Sequence, residues 1–349
     1  MRILVLNGGS SSLKCWYRDV AADSLDGPAL PPSWSEQIAW TGSGDIEGIL
    51  RSLTAGVDAV GHRVVHGGPI RDTALLTPEI KDAISGESAL APEHNQLSRA
   101  AMEAVERVFG SQMKQVAVFD TAFHATLPPA AYVYPGPYAW LNEGIRRYGF
   151  HGISHGYAAR QAAKILDKDP AALRLVTCHI GNGASLAAVR GGQSVDTTMG
   201  FTPLEGLMMG TRSGSLDPGL LIYLLRKHGY SVDQLDGILH RESGLLGVSG
   251  LSGDMREIEQ GMAGGNTRAR LAFDVYLHRL VREIGSMIAV LGGADALVFT
   301  GGVGENCVPL REAVARQFSF LAGLSVLVIH AEEEWEIARQ TCALISAAR

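Results

Sequence analysis

Two arginines stand in settings suited to gripping an anion. Arg63 lies in GHRVVHGG (61–68) and Arg212 in MGTRSGS (209–215), each among glycines and small residues. A guanidinium fork binds carboxylate or phosphate bidentately and stays charged. A lone arginine of this kind is as well explained by bonds to backbone carbonyls; two of them move the reading toward anion binding. Four glycine-rich turns accompany them, at 8–12, 181–185, 210–214 and 301–304. Any one alone is a tight bend, but three follow apolar, strand-like runs, where phosphate loops sit in α/β folds. None matches GxxxxGK[ST], and 301–304 lacks the full dinucleotide fingerprint. The pairs His62/His66 and His151/His155 have HxxxH spacing but lack the glutamate that zinc proteases place after the first histidine. His151, in YGFHGISH, suits donation of a hydrogen bond to developing charge. Asp120, ending an apolar run, either orients a nucleophile or metal or caps a turn.

The elements that must hold these residues read as alternating strands and helices, so the class is α/β. Strands are expected at 3–6, 13–18, 59–65, 115–119, 175–180, 296–300 and 325–329. Helices are expected at 98–109, 154–166, 217–227 (Pro218 first), 268–291 and 332–348, with another beginning near Glu305-Asn306. In the long helix, Leu271, Val275, Ile284 and Ile288 mark the apolar side. Residues 21–35 and the proline-rich 126–137 read as connections. RILVLN-GGSSSLK (2–14) and RLVTCHI-GNGASLA (174–187) form a weak repeat at an offset of 173 when Ser12-Leu13 is set on Ser185-Leu186. Each copy reads as a hairpin whose tight turn can cradle phosphate. Two cradles, one per half, suggest a nucleotide held between two related domains.

Composition bounds the rest. With 349 residues the chain can bury two cores, and 46% hydrophobic with 19% charged residues is globular. A net charge of −6 argues against nucleic acid as the main partner. Four scattered cysteines suit reduced thiols in a cytosol. No secretory leader and no membrane-length apolar run is expected.

With these residues in place, the chain resembles the acetate kinase family. The shared motifs are LNGGSSSLK (6–14), GHRVVHGG (61–68), VFDTAFH (118–124), RRYGFHGISH (146–155), HIGNGASL (179–186), MGFTPLEGLMMGTRSGSLDP (199–218), SGLLG (243–247) and FTGGVGEN (299–306). They fall in family order over nearly the whole chain. The resemblance implies two duplicated actin-like (ribonuclease H-like) domains with an ATP cleft between them, one spanning 1–120 plus 333–349 and the other 121–332. It implies a cytoplasmic, Mg2+- and ATP-dependent transfer of phosphoryl to a short carboxylate, and a homodimer through the second half. By motif, Asn7 and Glu333 would position Mg2+, with Ser10, Ser12 and Lys14 lining the same site. Arg63 and Arg212 would hold the carboxylate and the phosphoryl, His151 would stabilise the equatorial oxygens, and Asp120 would orient the nucleophile or metal. Val65, Phe150 and Pro203 would line the acyl pocket. His179, Gly181, Asn182 and Gly183 would cradle phosphates. Asp254, Met255, Arg256, Gly301, Gly302, Gly304 and Glu305 would surround the nucleoside.

The chain departs from the family at Glu93, in APEHN, where an apolar pocket residue is usual. A carboxylate buried beside a carboxylate substrate is costly, so Glu93 turns to solvent, is protonated, or meets a substrate with a polar tail. Segments 20–57 and 306–325 are short for the family. Two other classes compete: a non-catalytic ATP switch, which needs no carboxylate arginines, and a zinc hydrolase, which needs the missing glutamate.

Overall fold

The computed structural model describes residues 1–9, 12–40, 46–53, 56–86 and 92–347, with the side chains of 92–95 excepted. It falls into two units, Met1–Ala125 with Phe150–Tyr157 and Glu332–Arg349, and Thr126–Gly149 with Ala158–Ala331. The boundary differs from the sequence expectation chiefly at 150–157. That segment belongs to the first unit because the Gly152 amide donates to the Asp120 carbonyl at 2.8 Å, and Gly152 and Gly156 pack on Phe123.

The first unit holds a six-stranded sheet: β1 (Arg2–Gly8), β2 (Ser12–Asp19), β3 (Trp34–Ala39), β4 (Ala59–Val64), β5 (Ala74–Leu75) and β6 (Gln115–Phe119), in the order β3-β2-β1-β4-β6-β5. β1, β4 and β6 are mutually parallel neighbours, so Asn7, Arg63 and the residue after Phe119 lie toward one end of the sheet. Ile3, Leu4, Val5 and Leu6 are essentially inaccessible. Such a continuous apolar run is what a central strand covered on both faces requires. Helix Glu333–Ala347 packs on β1, β4 and β6, and Trp40, Leu50, Val105, Met102 and Phe119 complete the core.

The second unit repeats the topology. β7 (Arg174–Ile180), β8 (Ala184–Arg190), β9 (Gln193–Thr197), β10 (Ala296–Thr300) and β11 (Ser325–Val328) run β11-β10-β7-β8-β9, with β7 and β8 antiparallel and β7, β10 and β11 parallel. The two units therefore share a five-strand plan. The two hairpins do not superimpose residue for residue. Gly8 pairs with Leu13, whereas Ile180 pairs with Ala184, so the second turn is one residue shorter and no single offset holds through it.

Helix Thr267–Leu291 packs on β7, β8 and β9. It starts where the Asn266 side chain accepts from the Arg268 and Ala269 amides and stops at left-handed Gly292. Its buried stripe runs through Ala272, Phe273, Tyr276, Leu280, Ile284 and Ile288, and Leu271 is exposed, contrary to the sequence expectation. The glycines at 301–304 are not a loop ahead of a helix at Glu305; they are the first turn of helix Gly301–Asn306. β3 overlaps what was read as an irregular connection. All four cysteines are buried and none is disulfide-bonded.

Candidate active site

In the first unit the ends of β1, β4 and β6 bring a charged network together. The Arg63 guanidinium donates from Nε (3.1 Å) and Nη2 (2.6 Å) to Oδ2 of Asp120, and from Nη1 to Oδ1 of Asn7 (3.3 Å). The Asn7 amide nitrogen donates to Glu333 (3.3 Å) and Glu334 (2.8 Å) at the start of helix Glu333–Ala347, and Lys14 lies 3.6 Å from Glu334. Burial works against the charge on Arg63, but Asp120 and Glu333 outweigh it and hold the guanidinium protonated. Burial pushes the Asp120 carboxyl up, with Arg63 opposing.

His151 follows the buried Phe150, whose carbonyl contacts His124 at 3.0 Å. Its φ of 57° is left-handed, a conformation costing a non-glycine residue about 1–3 kcal/mol and concentrated at functional sites. The next residue, Gly152, is pinned to the Asp120 carbonyl, so the backbone around His151 is fixed relative to Asp120. Val65 is buried in the same unit. Ser10 lies outside the described residues, as does the Glu93 side chain. His62 and His66 sit on and just beyond β4, not on a helix, and His62 Nε2 is engaged with Gln115 at 2.8 Å. No group of three His, Cys, Asp or Glu side chains arranged to hold a metal occurs among the described residues.

In the second unit, Arg212 sits in an irregular segment tied down on several sides. The Gly210 amide donates to the Asn182 carbonyl, Met209 to the Arg212 carbonyl, and Ser243 to the Thr211 carbonyl. The guanidinium itself donates to the Pro203 carbonyl (3.2 Å) and contacts Met209 Sδ (3.9 Å). Burial lowers its pKa, and no carboxylate of the described residues offsets this.

The turn 181–183 opens on a cavity of about 730 Å³ lined by Gly181, Asn182, Leu245, Gly253, Asp254, Met255, Arg256, Glu259, Tyr276, Gly302, Val303, Asn306 and Cys307. Asp254 caps helix Met255–Ala263 and pairs with Arg256. Gly210 has to be glycine, because an added Cβ would overlap the Asn182 side chain and come 2.8 Å from the Gly253 carbonyl. Gly301 and Gly304 face Ile180 and let helix Gly301–Asn306 lie on β7, so they shape the cavity from behind, while Gly302 lines it. Glu305 does something else. Its carboxylate accepts from the Gly301 amide (3.0 Å) and the Ala331 amide (2.9 Å) and pairs with His330 (2.5 Å), so it ties this turn to the segment before Glu332. Glu334, Glu259, Tyr276 and Cys307 escaped the sequence reading. Glu334 stood in an acidic first turn explained by the helix dipole, and Glu259 and Tyr276 carry no local signal.

The sequence model of the Acetokinase family matches residues 45–334. An acetate kinase of Gloeobacter violaceus is 48% identical over 398 aligned positions, covering 97% of this chain and 98% of that protein. The alignment is longer than the 349-residue chain, so the relative has stretches this chain lacks. The crystal structure of Porphyromonas gingivalis acetate kinase matches with a TM-score of 0.88 at 36% identity, covering 99% of both chains. A propionate kinase from Francisella tularensis matches at 0.86 and 34%, covering 97% of this chain and 98% of that one. Motif order, duplicated topology and similarity over nearly the full length agree, and the chain belongs to the acetokinase family.

Proposed function

We propose that the protein transfers the γ-phosphoryl group of ATP to acetate, giving acetyl phosphate and ADP, in a reversible reaction. The observation that carries this reading is Arg212, a partly desolvated cation whose charge no carboxylate of the described residues balances. Burying a charge without a partner is expensive, and an anionic substrate supplies the missing charge.

Two anions must be aligned and their repulsion overcome; a carboxylate is already a competent nucleophile and needs no strong base. Arg63 and Arg212 hold the carboxylate and the transferring phosphoryl. His151 donates to the equatorial oxygens, and Asp120 fixes the Arg63 fork. Val65, Phe150 and Pro203 face the acyl group. His179, Gly181, Asn182 and Gly183 take the phosphates, with Ser12 and Lys14 near the metal, and the nucleoside occupies the cavity beside Asp254, Met255 and Arg256.

The first-unit network suits a hard cation. Asp120, Glu333 and Glu334 exceed Arg63 and Lys14 by one negative charge, and the atoms able to ligate a cation are carboxylate and amide oxygens. Mg2+ keeps most of its waters and takes only one or two carboxylates, so Asn7 and Glu333 suffice to hold it. When bound it supplies charge neutralisation between the two anions.

Propionate is the second reading, favoured by the similarity to a propionate kinase; one methylene is worth only about 1–3 kcal/mol in such a pocket. A cytoplasmic homodimer is also proposed. No described helix is long and apolar enough to cross a membrane, and Leu220 and Tyr223, one turn apart on helix Pro218–Tyr223, give the second unit an exposed apolar patch for a second copy. Trapping acyl phosphate as hydroxamate, with Mg-ATP and a panel of short acids, tests the function. Product is expected first with acetate, and no product with any acid rejects the reading.

A further inference from the structure

Arg212 lies on a stretch without helix or strand that begins after Thr197, so something other than secondary structure must fix it. Three side chains outside the assigned site do so. Arg147 Nη1 donates to the carbonyls of Thr197 (3.2 Å), Thr198 (3.0 Å) and Met199 (3.0 Å), and its Nη2 lies 2.6 Å from the Glu205 carboxylate. The Tyr134 hydroxyl donates to the other Glu205 oxygen and accepts from the Phe201 amide at 2.8 Å. One hydroxyl thus joins residues 201 and 205, closing a short loop. Pro203 lies midway, and its carbonyl takes the Arg212 guanidinium. The closure is tight: a Cβ on Gly200 would overlap both the Glu205 carboxylate and the Tyr134 oxygen. Beyond it, Gly206 at φ 103° and Ser215 exchange two hydrogen bonds, which encloses Arg212 from the far side.

We propose that Tyr134, Arg147 and Glu205 are positioning residues that set the direction of the Arg212 guanidinium by fixing the Pro203 carbonyl. Arg147 and Glu205 neutralise each other, so the clamp leaves the charge of Arg212 available to substrate. The Gly200 carbonyl also accepts from the Tyr148 and Gly149 amides (3.1 and 3.3 Å), so the same loop braces the chain just ahead of Phe150 and His151. The inference rests on the role given to Arg212 above.

A double-mutant cycle tests it, read in the hydroxamate assay with acetate. Tyr134→Phe removes one hydroxyl and no charge. It should lower kcat about 10- to 100-fold, as expected for a misplaced catalytic group, and leave the KM for ATP within about twofold, because the nucleotide cavity is built from other segments. Glu205→Ala should do the same, and Glu205→Gln, which keeps an acceptor for Arg147, should recover part of the loss. In an Arg212→Ala background each substitution should change kcat less than about twofold. Wild-type kcat for both Tyr134→Phe and Glu205→Ala, or losses that multiply with that of Arg212→Ala, would overturn the inference. Wild-type turnover by Arg212→Ala alone would instead remove the role of Arg212, so the two failures are distinguishable.

Discussion

Gly152→Ala should damage catalysis through a single methyl group. An added Cβ would overlap the Asp120 carbonyl oxygen and lie 2.9 Å from Phe123 Cβ. Carbon pairs prefer about 3.5–4.0 Å, so the backbone has to give by roughly 0.5–1 Å. Both neighbours are poor at yielding: Asp120 ends a buried strand and is held by Arg63, and its carbonyl accepts the Gly152 amide. The helix start therefore moves and carries His151 with it. Overpacking of this kind costs about 1–3 kcal/mol, and the lost amide bond about 1 kcal/mol more. A shift near 1 Å in a catalytic group can cost about 100-fold in rate. The assays are kcat by hydroxamate trapping, the melting temperature, and nucleotide affinity by calorimetry. The expectation is a loss of roughly 10- to 100-fold in kcat, a melting temperature lower by about 2–4 °C per kcal/mol, and unchanged affinity for ADP, since the cavity proposed for it is lined by residues of the second unit. A variant with wild-type kcat and wild-type melting would show that the tether between Asp120 and the His151 segment does not govern the site.

The two arginines should differ in stability. Arg63→Ala strands the buried Asp120 carboxylate and should destabilise by about 3–5 kcal/mol, whereas Arg212→Ala removes an unbalanced cation and should leave the denaturation midpoint unchanged or raised; equal losses would contradict the charge assignment. Burial pushes His62 and His66 down to about 4. The unfolded chain takes up these protons near pH 6.5 and the folded one near 4, so stability falls between those values by about 3 kcal/mol per histidine and is flat below; denaturation midpoints should follow this, with His62→Gln removing about half of the slope. Asn182→Ala should weaken ADP binding in calorimetry, and wild-type affinity would remove the second hairpin from the nucleotide site. Glu93→Leu should lower the KM for acetate if Glu93 faces the acyl pocket, and unchanged kinetics would put that side chain in solvent.

The sequence was most legible where local pattern and burial agree. β1, β6 and β10 are built on continuous apolar runs in parallel positions; β6 and β10 appear where the pattern put them, and β1 runs two residues further, through Asn7 and Gly8. Pro218 announced a helix start, while the Asn266 cap of the long helix emerges only in the structure. β3 was missed because it lies at a sheet edge, half exposed, beside a proline-rich stretch, so no clean alternation marks it. The long helix was found but its face was misjudged at Leu271, since a hydrophobic type alone does not show which side a partner covers. Residues within contiguous motifs were legible as site candidates. Glu334, Glu259 and Tyr276 were not, because they reach the site through tertiary packing. Glu305 lay inside a motif, yet its carboxylate is spent on the Gly301 and Ala331 amides and on His330, a pairing invisible without coordinates.

One strand plan carries two different sets of residues, and the difference lies at the strand ends. In a sheet whose central strands are parallel, their carboxyl ends converge on one edge, where ligands bind. In the first unit that edge carries Asn7, Arg63 and Asp120, which together are neutral, and it is Glu333 and Glu334, set against Lys14, that give the network its one surplus negative charge. In the second it carries Gly181, Asn182 and Gly183 after β7, and Thr300 at the end of β10 followed by Gly301, so backbone comes to the edge and side-chain charge does not. The shorter second hairpin follows from that division. With Asn182 alone at its tip and a glycine on either side, the turn brings amides forward; the first turn instead brings Asn7 and Lys14 opposite each other across the hairpin, within reach of Glu334. The repeat is faint in sequence because the residues that would have to match lie at the strand ends, where the two edges differ, and the buried strands between them keep only apolar character.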